Sequence, residues 1–243
     1  MKLNDLMWDG KYKIYQNENL FKLSIDSILL SYFVSLGKKT KNILDIGTGN
    51  APIPIILTKR TNAKIYGVEI QKQSYELAKK NIEMNNLENK IILINDDIKK
   101  LYESLENNFF DTIVCNPPYF KCNTKFTNNK SRKLARNEFS LTLNDIFLIS
   151  KKILKDKGNI AIINRTERLA EIIFLMKSNS IEPKKIQFVH TKKENESKLV
   201  LIEGTKNGNP GLKCYPPLII QDDKNLYTNQ IKQILLGKKS DTL

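Results

Sequence analysis

Ile43-Leu44-Asp45-Ile46-Gly47-Thr48-Gly49-Asn50-Ala51 decides the fold: an apolar strand runs into a glycine turn, and a helix-like segment follows from Ile53 to Lys59. Glycine at Gly47 and Gly49 permits a tight turn and lets backbone N–H groups approach a ligand closely. The spacing is Gly-x-Gly with no third glycine, because Ala51 and Pro52 follow, so a nicotinamide-dinucleotide fingerprint fits poorly. Next comes Lys64-Ile65-Tyr66-Gly67-Val68-Glu69, a second strand that ends in an acid about 20 residues after the glycines, the distance at which a carboxylate meets ribose hydroxyls in such folds. A third strand, 91–94, leads to Asp96-Asp97-Ile98, and a fourth, 112–115, leads to Asn116-Pro117-Pro118-Tyr119. Polar groups at successive strand ends form a line of sites along one edge of a parallel sheet.

Strands 42–46, 64–69, 91–94, 112–115 and 159–163 alternate with helix-like stretches such as 74–84 and 143–154, and residues 23–36 read as a helix ahead of the first strand. The alternation predicts an α/β fold with a doubly wound, mostly parallel sheet. After a helix at 166–176, two extended runs, 185–190 and 199–203, are joined by a stretch too short for a helical crossover, which predicts an antiparallel C-terminal hairpin at the sheet edge. The strands total seven. The expected organisation is one domain over 1–243, with residues 1–40 as a helical lead-in and 204–243, rich in turn residues such as Asn207-Gly208-Asn209-Pro210-Gly211, as a covering tail.

The Asn-Pro-Pro-Tyr turn carries the chemistry. The exocyclic amine of adenine, or the amide nitrogen of glutamine, delocalises its lone pair into a π-system and is a poor nucleophile. The side-chain oxygen of Asn116 and the backbone carbonyl of Pro117 can each accept one N–H of such an amine, which localises the lone pair and aims it at an electrophilic methyl group. Proline fixes φ and adds no competing donor at Pro117 and Pro118. Tyr119 is placed to stack on the ring being modified, an interaction that contributes roughly 1–3 kcal/mol per base with little base preference.

Composition narrows the partners. The net charge is +14, with 40 basic residues, and 40% of the chain is hydrophobic, enough for a substantial core. A polyanionic partner is implied. Lysine abounds throughout, so local pattern is the better guide: no acid occurs from Thr112 to Asn137, whereas Lys121, Lys125, Lys130, Arg132, Lys133 and Arg136 accumulate directly after the candidate catalytic turn. These six are the candidate RNA-binding residues, and Arg136 is the strongest of them because its fork can hold a phosphate at two points. Cys115, Cys122 and Cys214 are odd in number and lack the short pairing of zinc modules; with His190 they offer no plausible metal site, so no metal is expected. There is no apolar run of membrane-spanning length and no apolar leader at the N-terminus; the cytoplasm is the expected compartment, and no membrane partner is expected.

Together the cofactor turn, the strand-end acids and the Asn-Pro-Pro-Tyr turn resemble the Rossmann-like class I S-adenosylmethionine-dependent methyltransferases. The resemblance implies S-adenosyl-L-methionine as cofactor. It places Asp45 and the Gly47 and Gly49 turn at the methionine end, Glu69 on the ribose hydroxyls, and Asp97 with the Ile98 backbone on the adenine, with Asp96 as the alternate for that last role; Asn116 borders the cofactor as well as the substrate. Leu23-Ser24-Ile25-Asp26-Ser27-Ile28-Leu29-Leu30, Ala135-Arg136-Asn137-Glu138, and the ending from Leu199-Val200-Leu201-Ile202-Glu203 through Tyr227-Thr228 look like the bacterial tRNA1(Val) (adenine-37-N6)-methyltransferase family. That family implies methylation of N6 of the adenosine 3′ to the anticodon, and hence a tRNA partner bound through its anticodon-loop region. Asn50-Ala51 departs from the further glycine of many class I relatives, which affects cofactor-loop detail more than reaction type.

Two other enzymes share the turn. Protein glutamine N5-methyltransferases use Asn-Pro-Pro-Tyr but carry a longer helical domain ahead of the cofactor motif, where roughly 40 residues stand here. DNA adenine N6-methyltransferases need an extra domain to read a target sequence, and none is evident. An RNA-binding protein on a methyltransferase scaffold is the non-enzyme alternative, against which the intact Asn116 and Asp45 argue.

Overall fold

The computed structural model of the chain describes residues 2–17, 23–117 and 141–238. Strands β1 (Lys2–Asp5) and β2 (Lys13–Gln16) precede helix α1 (Ile25–Phe33). There follow β3 (Asn42–Ile46), α2 (Pro52–Leu57), β4 (Lys64–Val68), α3 (Lys72–Met84), β5 (Ile91–Ile94), α4 (Ile98–Ser104) and β6 (Phe110–Cys115). The second half comprises α5 (Leu143–Ile153), β7 (Leu154–Arg165), α6 (Leu169–Ser178), β8 (Ile181–His190), β9 (Leu199–Lys206), the short β10 (Lys213–Cys214) and β11 (Leu218–Ile219), and α7 (Asn229–Leu235). The sheet order is β10-β8-β9-β7-β6-β3-β4-β5, with β11 also on β8. β9 alone among the long strands runs against its neighbours β7 and β8, and the strands from β7 to β5 are parallel. The doubly wound α/β sheet is therefore as the strand–helix alternation requires.

Each face of the sheet is covered by helices whose apolar stripe matches it. On one side Ile28, Leu29 and Phe33 of α1, Ile53 and Ile56 of α2, Ala78 and Ile82 of α3, and Ile231 and Ile234 of α7 form one core with Ile43 and Ile65. On the other, Ile98 of α4, Phe147 and Ile153 of α5, and Ile172 and Met176 of α6 pack on Ile113, Ile160 and Ile202. Local signals set the helix ends. A capping box joins Thr142 and Asp145 at the start of α5, with Lys151 and Lys152 in its last turn, where they complement the helix dipole.

Two expectations need correction. The lead-in is not purely helical: β1 and β2 pair antiparallel ahead of α1, because the outer edge of β2 is satisfied by side chains of the distant α3 rather than by anything in its own neighbourhood. The main sheet has nine strands instead of seven, since residues of the tail pair in parallel with β8 at Lys213↔Lys185 and Leu218↔Val189. The β8–β9 pair is antiparallel, as expected, and β9 is inserted between β7 and β8. From that inserted strand the buried Glu203 accepts a hydrogen bond from the Ser35 backbone N–H at 2.7 Å, which fixes the end of α1.

Candidate active site

Register places the site. Ile46 is level with Val68 on one side and with Cys115 on the other, and Val68 is level with Ile94. The residues that follow, Gly47, Glu69, Asn95 and Asn116, therefore line the carboxyl edge of β3, β4, β5 and β6. Asp45, Glu69 and Asn116 are brought together here, and the turn after β3 sits beside the turn after β6.

The turn after β3 alternates left-handed residues: Gly47 at φ 72°, Gly49 at 58° and Ala51 at 66°. A Cβ at Gly47 or Gly49 would meet nothing within 4 Å, so both glycines border open space as well as supplying the unusual backbone. Ala51 holds the left-handed conformation at a cost of about 1–2 kcal/mol, and Pro52 starts α2 directly after it. Gly67 has a different reason: a Cβ there would lie 3.0 Å from both Leu93 and Thr48, so glycine lets β4 approach the turn.

Glu69 does more than face a ligand. Its Oε2 accepts from the Gly49 N–H and its Oε1 from the Gln71 N–H, each at 2.8 Å, so one carboxylate ties the turns after β3 and β4 together. Burial pushes its carboxyl upward, against the pull of the Gln71, Gly49 and Ile70 amides. Asn95, which sequence reading missed, donates to the Glu69 carbonyl at 2.8 Å and fixes the backbone under that acid. Its only signal was its place directly after the third strand.

Asp45 is 1% exposed, and neither carboxylate oxygen has a hydrogen-bond partner among the described residues; the Thr48 hydroxyl is likewise unpartnered. Burial pushes its carboxyl up to about 7, the charge of Glu69 adds to the rise, and the Thr48 hydroxyl, close by but outside hydrogen-bonding geometry, opposes it. An orphaned acid under an open glycine turn fits a cationic ligand group. At the end of β5 the two neighbouring acids are held differently: Asp97 caps α4 by accepting from Lys99 N–H at 2.9 Å, while the exposed Asp96 accepts from Asp97 N–H at 2.7 Å. Ile98 is buried.

Asn116 ends β6, and its amide Nδ2 donates to Ser27 Oγ on α1 at 3.1 Å. Ser27, in the Ile25-Asp26-Ser27 stretch noted for its resemblance alone, is thus a neighbour of the candidate catalytic residue that no local pattern revealed. Pro117 is buried directly after it. Pro118 and Tyr119 lie outside the described residues, as do Lys121, Lys125, Lys130, Arg132, Lys133 and Arg136. Cys115 is buried and Cys214 exposed, both free, and Cys122 lies outside the described residues. Among the described residues no group of three or more His, Cys, Asp or Glu side chains could hold a metal ion, and no helix is long and apolar enough to cross a membrane.

Known proteins share the sequence and the fold of this chain. The model of the methyltransferase small domain matches residues 22–180. The tRNA1(Val) (adenine(37)-N6)-methyltransferase of Flavobacterium psychrophilum is 27% identical over 229 residues, which cover 93% of this chain and 96% of the relative. Its namesake from Parabacteroides distasonis is 30% identical over 193 residues, covering 79% and 80% respectively. Among solved structures, a predicted O-methyltransferase from Agrobacterium tumefaciens, protein Atu636, superposes with a TM-score of 0.71 at 19% identity, covering 88% of this chain and 97% of its own. TrmK of M. capricolum in complex with S-adenosyl-homocysteine does so with a TM-score of 0.54 at 20% identity, covering 77% and 70%. These two likenesses establish the class I methyltransferase fold, and the sequence matches go further: the chain belongs to the methyltransferase small domain family and, within it, to the tRNA1(Val) (adenine(37)-N6)-methyltransferase family.

Proposed function

We propose that the chain uses S-adenosyl-L-methionine to methylate N6 of adenosine 37 in tRNA1(Val). The observation that carries this reading is the placement of Asn116 at the end of β6, level with the open glycine turn after β3 and buttressed by Ser27. The cofactor, when bound, supplies an electrophilic methyl group. Asp45 and the Gly47 and Gly49 turn would hold its methionine end, Glu69 its ribose, and Asp97 or Asp96 with Ile98 its adenine. The bond from Nδ2 to Ser27 orients the amide of Asn116, and Oδ1, its acceptor atom, would take a hydrogen from the target amine. The Pro117 carbonyl accepts the second hydrogen, and the amine lone pair is thereby localised. Tyr119 would stack on the base, and the basic residues from Lys121 to Arg136 would contact phosphates around the anticodon loop. Mapping methylated nucleosides by mass spectrometry in tRNA from cells with and without the protein tests the assignment. N6-methyladenosine at position 37 of tRNA1(Val) is expected to vanish without it, and its persistence would overturn the reading.

Asp45 gives the cofactor site a pH dependence. Its folded carboxyl is raised from its ordinary value of 3.8 to about 7, so below that pH the protein without ligand carries it protonated. A cationic amine at the methionine end favours the ionised form, so binding in that range releases a proton. Affinity for S-adenosylmethionine should therefore rise by about tenfold per unit as pH climbs toward 7, and level off above it. Calorimetry across about pH 5.5 to 8.5 checks this, and Asp45→Asn should flatten the profile. In the protein alone the same shift works in the opposite sense: stability falls as pH rises from the unfolded carboxyl value to about 7, because the folded state binds the proton more tightly.

A further inference from the structure

The hairpin that precedes α1 is held by a set of asparagines that also reach the cofactor turn. Asn81, on α3, is 0% exposed. Its Oδ1 accepts from Tyr15 N–H at 2.7 Å and its Nδ2 donates to the Tyr15 carbonyl at 3.2 Å, so the side-chain amide pairs with β2 as a neighbouring strand would. The same Nδ2 lies 2.9 Å from the carbonyl of Asn50, the residue between the left-handed Gly49 and Ala51. Asn50, itself buried, donates back from its side chain to the Tyr15 carbonyl at 3.2 Å. One helical turn further along, Asn85 grips Lys13 in the same two-point manner, at 3.0 and 2.8 Å. The spacing matches because four residues of helix rise about 6 Å and two residues of strand about 6.8 Å. Asn85 reaches the hairpin and, at 2.6 Å, the backbone carbonyl of Asn81, but makes no bond to the turn, whereas Asn81 touches both the hairpin and the turn. Beyond Tyr15, Gln16 Oε1 accepts from Leu23 N–H at 3.1 Å, so the strand is tied to the segment that starts α1.

A buried amide that satisfies two elements at once makes the position of each depend on the other. The turn after β3 needs such support, since its alternating left-handed residues are held in place by their surroundings. We propose that Asn81 is a positioning residue that couples the β1–β2 hairpin to the cofactor turn, so that a seated hairpin raises affinity for S-adenosylmethionine and the bound cofactor holds the hairpin down. Reciprocity of the two effects is required by thermodynamic linkage. The inference rests on the cofactor assignment made above.

The test uses the full chain, with S-adenosylmethionine calorimetry and backbone hydrogen exchange over residues 2–16. In the wild-type protein the cofactor is expected to slow exchange in the hairpin. Asn81→Ala should bind cofactor about tenfold more weakly, within the usual span of coupling between sites, with a higher KM for the cofactor, kcat at saturation retained, and cofactor-induced protection of the hairpin lost. Asn85→Ala should loosen the hairpin yet keep that protection, which separates coupling from mere support. Should the alanine variant not fold, Asn81→Ser, which can reach fewer of the partners, is expected to move affinity and protection in the same direction. Wild-type affinity in a folded Asn81 variant, or a wild-type hairpin whose exchange ignores bound cofactor, overturns the coupling while leaving the cofactor assignment intact. Failure of the wild-type protein to bind S-adenosylmethionine overturns both.

Discussion

Asn116→Ala is expected to lower the rate of methyl transfer to tRNA by about 10²–10³, the scale of removing one preorganised polar group from a reacting centre. The structure gives the reason for so large an effect at one side chain. Ser27 Oγ accepts from the amide nitrogen, which helps to fix the direction in which the carbonyl oxygen is presented. The loss should fall on kcat. Cofactor affinity should stay within a few-fold, because the turn after β3 and Glu69 are held together independently of Asn116, by the Gly47 and Thr48 bonds to the Val68 carbonyl and by Glu69 itself. Single-turnover transfer of labelled methyl, alongside calorimetry, separates the two quantities. Near wild-type turnover in this variant would remove Asn116 from the chemistry.

Glu69→Ala should weaken S-adenosylmethionine binding by roughly 1.5–3 kcal/mol, the range for hydrogen bonds to a charged group. The isosteric Glu69→Gln should be no milder. Both carboxylate oxygens already accept backbone N–H groups, from Gly49 and Gln71, so a glutamine must turn its NH₂ toward one of these donors and leave that N–H unsatisfied in a buried place. A carboxylate that only gripped the ribose would tolerate the change better. Calorimetry on both variants, with thermal melting to follow the turn, decides between the roles; unchanged affinity in the alanine variant would show that the strand-end assignment is wrong.

What could be read from the sequence was what is local. Asp45, Gly47 and Gly49 belong to a strand–turn–helix run that fits in ten residues, and Glu69 follows at a spacing fixed by one βα unit. Asn116 announces itself through the prolines. The β1–β2 hairpin does not, because its strands are four residues each and their outer edge is completed by Asn81 and Asn85, more than 60 positions away. Asn95 and Ser27 escaped for the same reason: each acts on a residue contributed by another strand or helix. The tail strands β10 and β11 are two residues long, too short to show any period. The basic stretch after Tyr119 and the ring itself fall outside the described residues.

The inserted strand β9 sets an order of assembly. It is made after β7 and β8 but lies between them, and through Glu203 it reaches back to Ser35, 168 positions earlier. Contacts across so long a separation form late, since the loop must close before they stabilise anything. On the ribosome, then, the end of α1 lacks its bond to Glu203 until synthesis has passed that residue. The stretches that carry Asp45, Glu69 and Asn116 are translated before the strand that completes the sheet beside them, so a nascent chain carries the signature of the family before its sheet is whole.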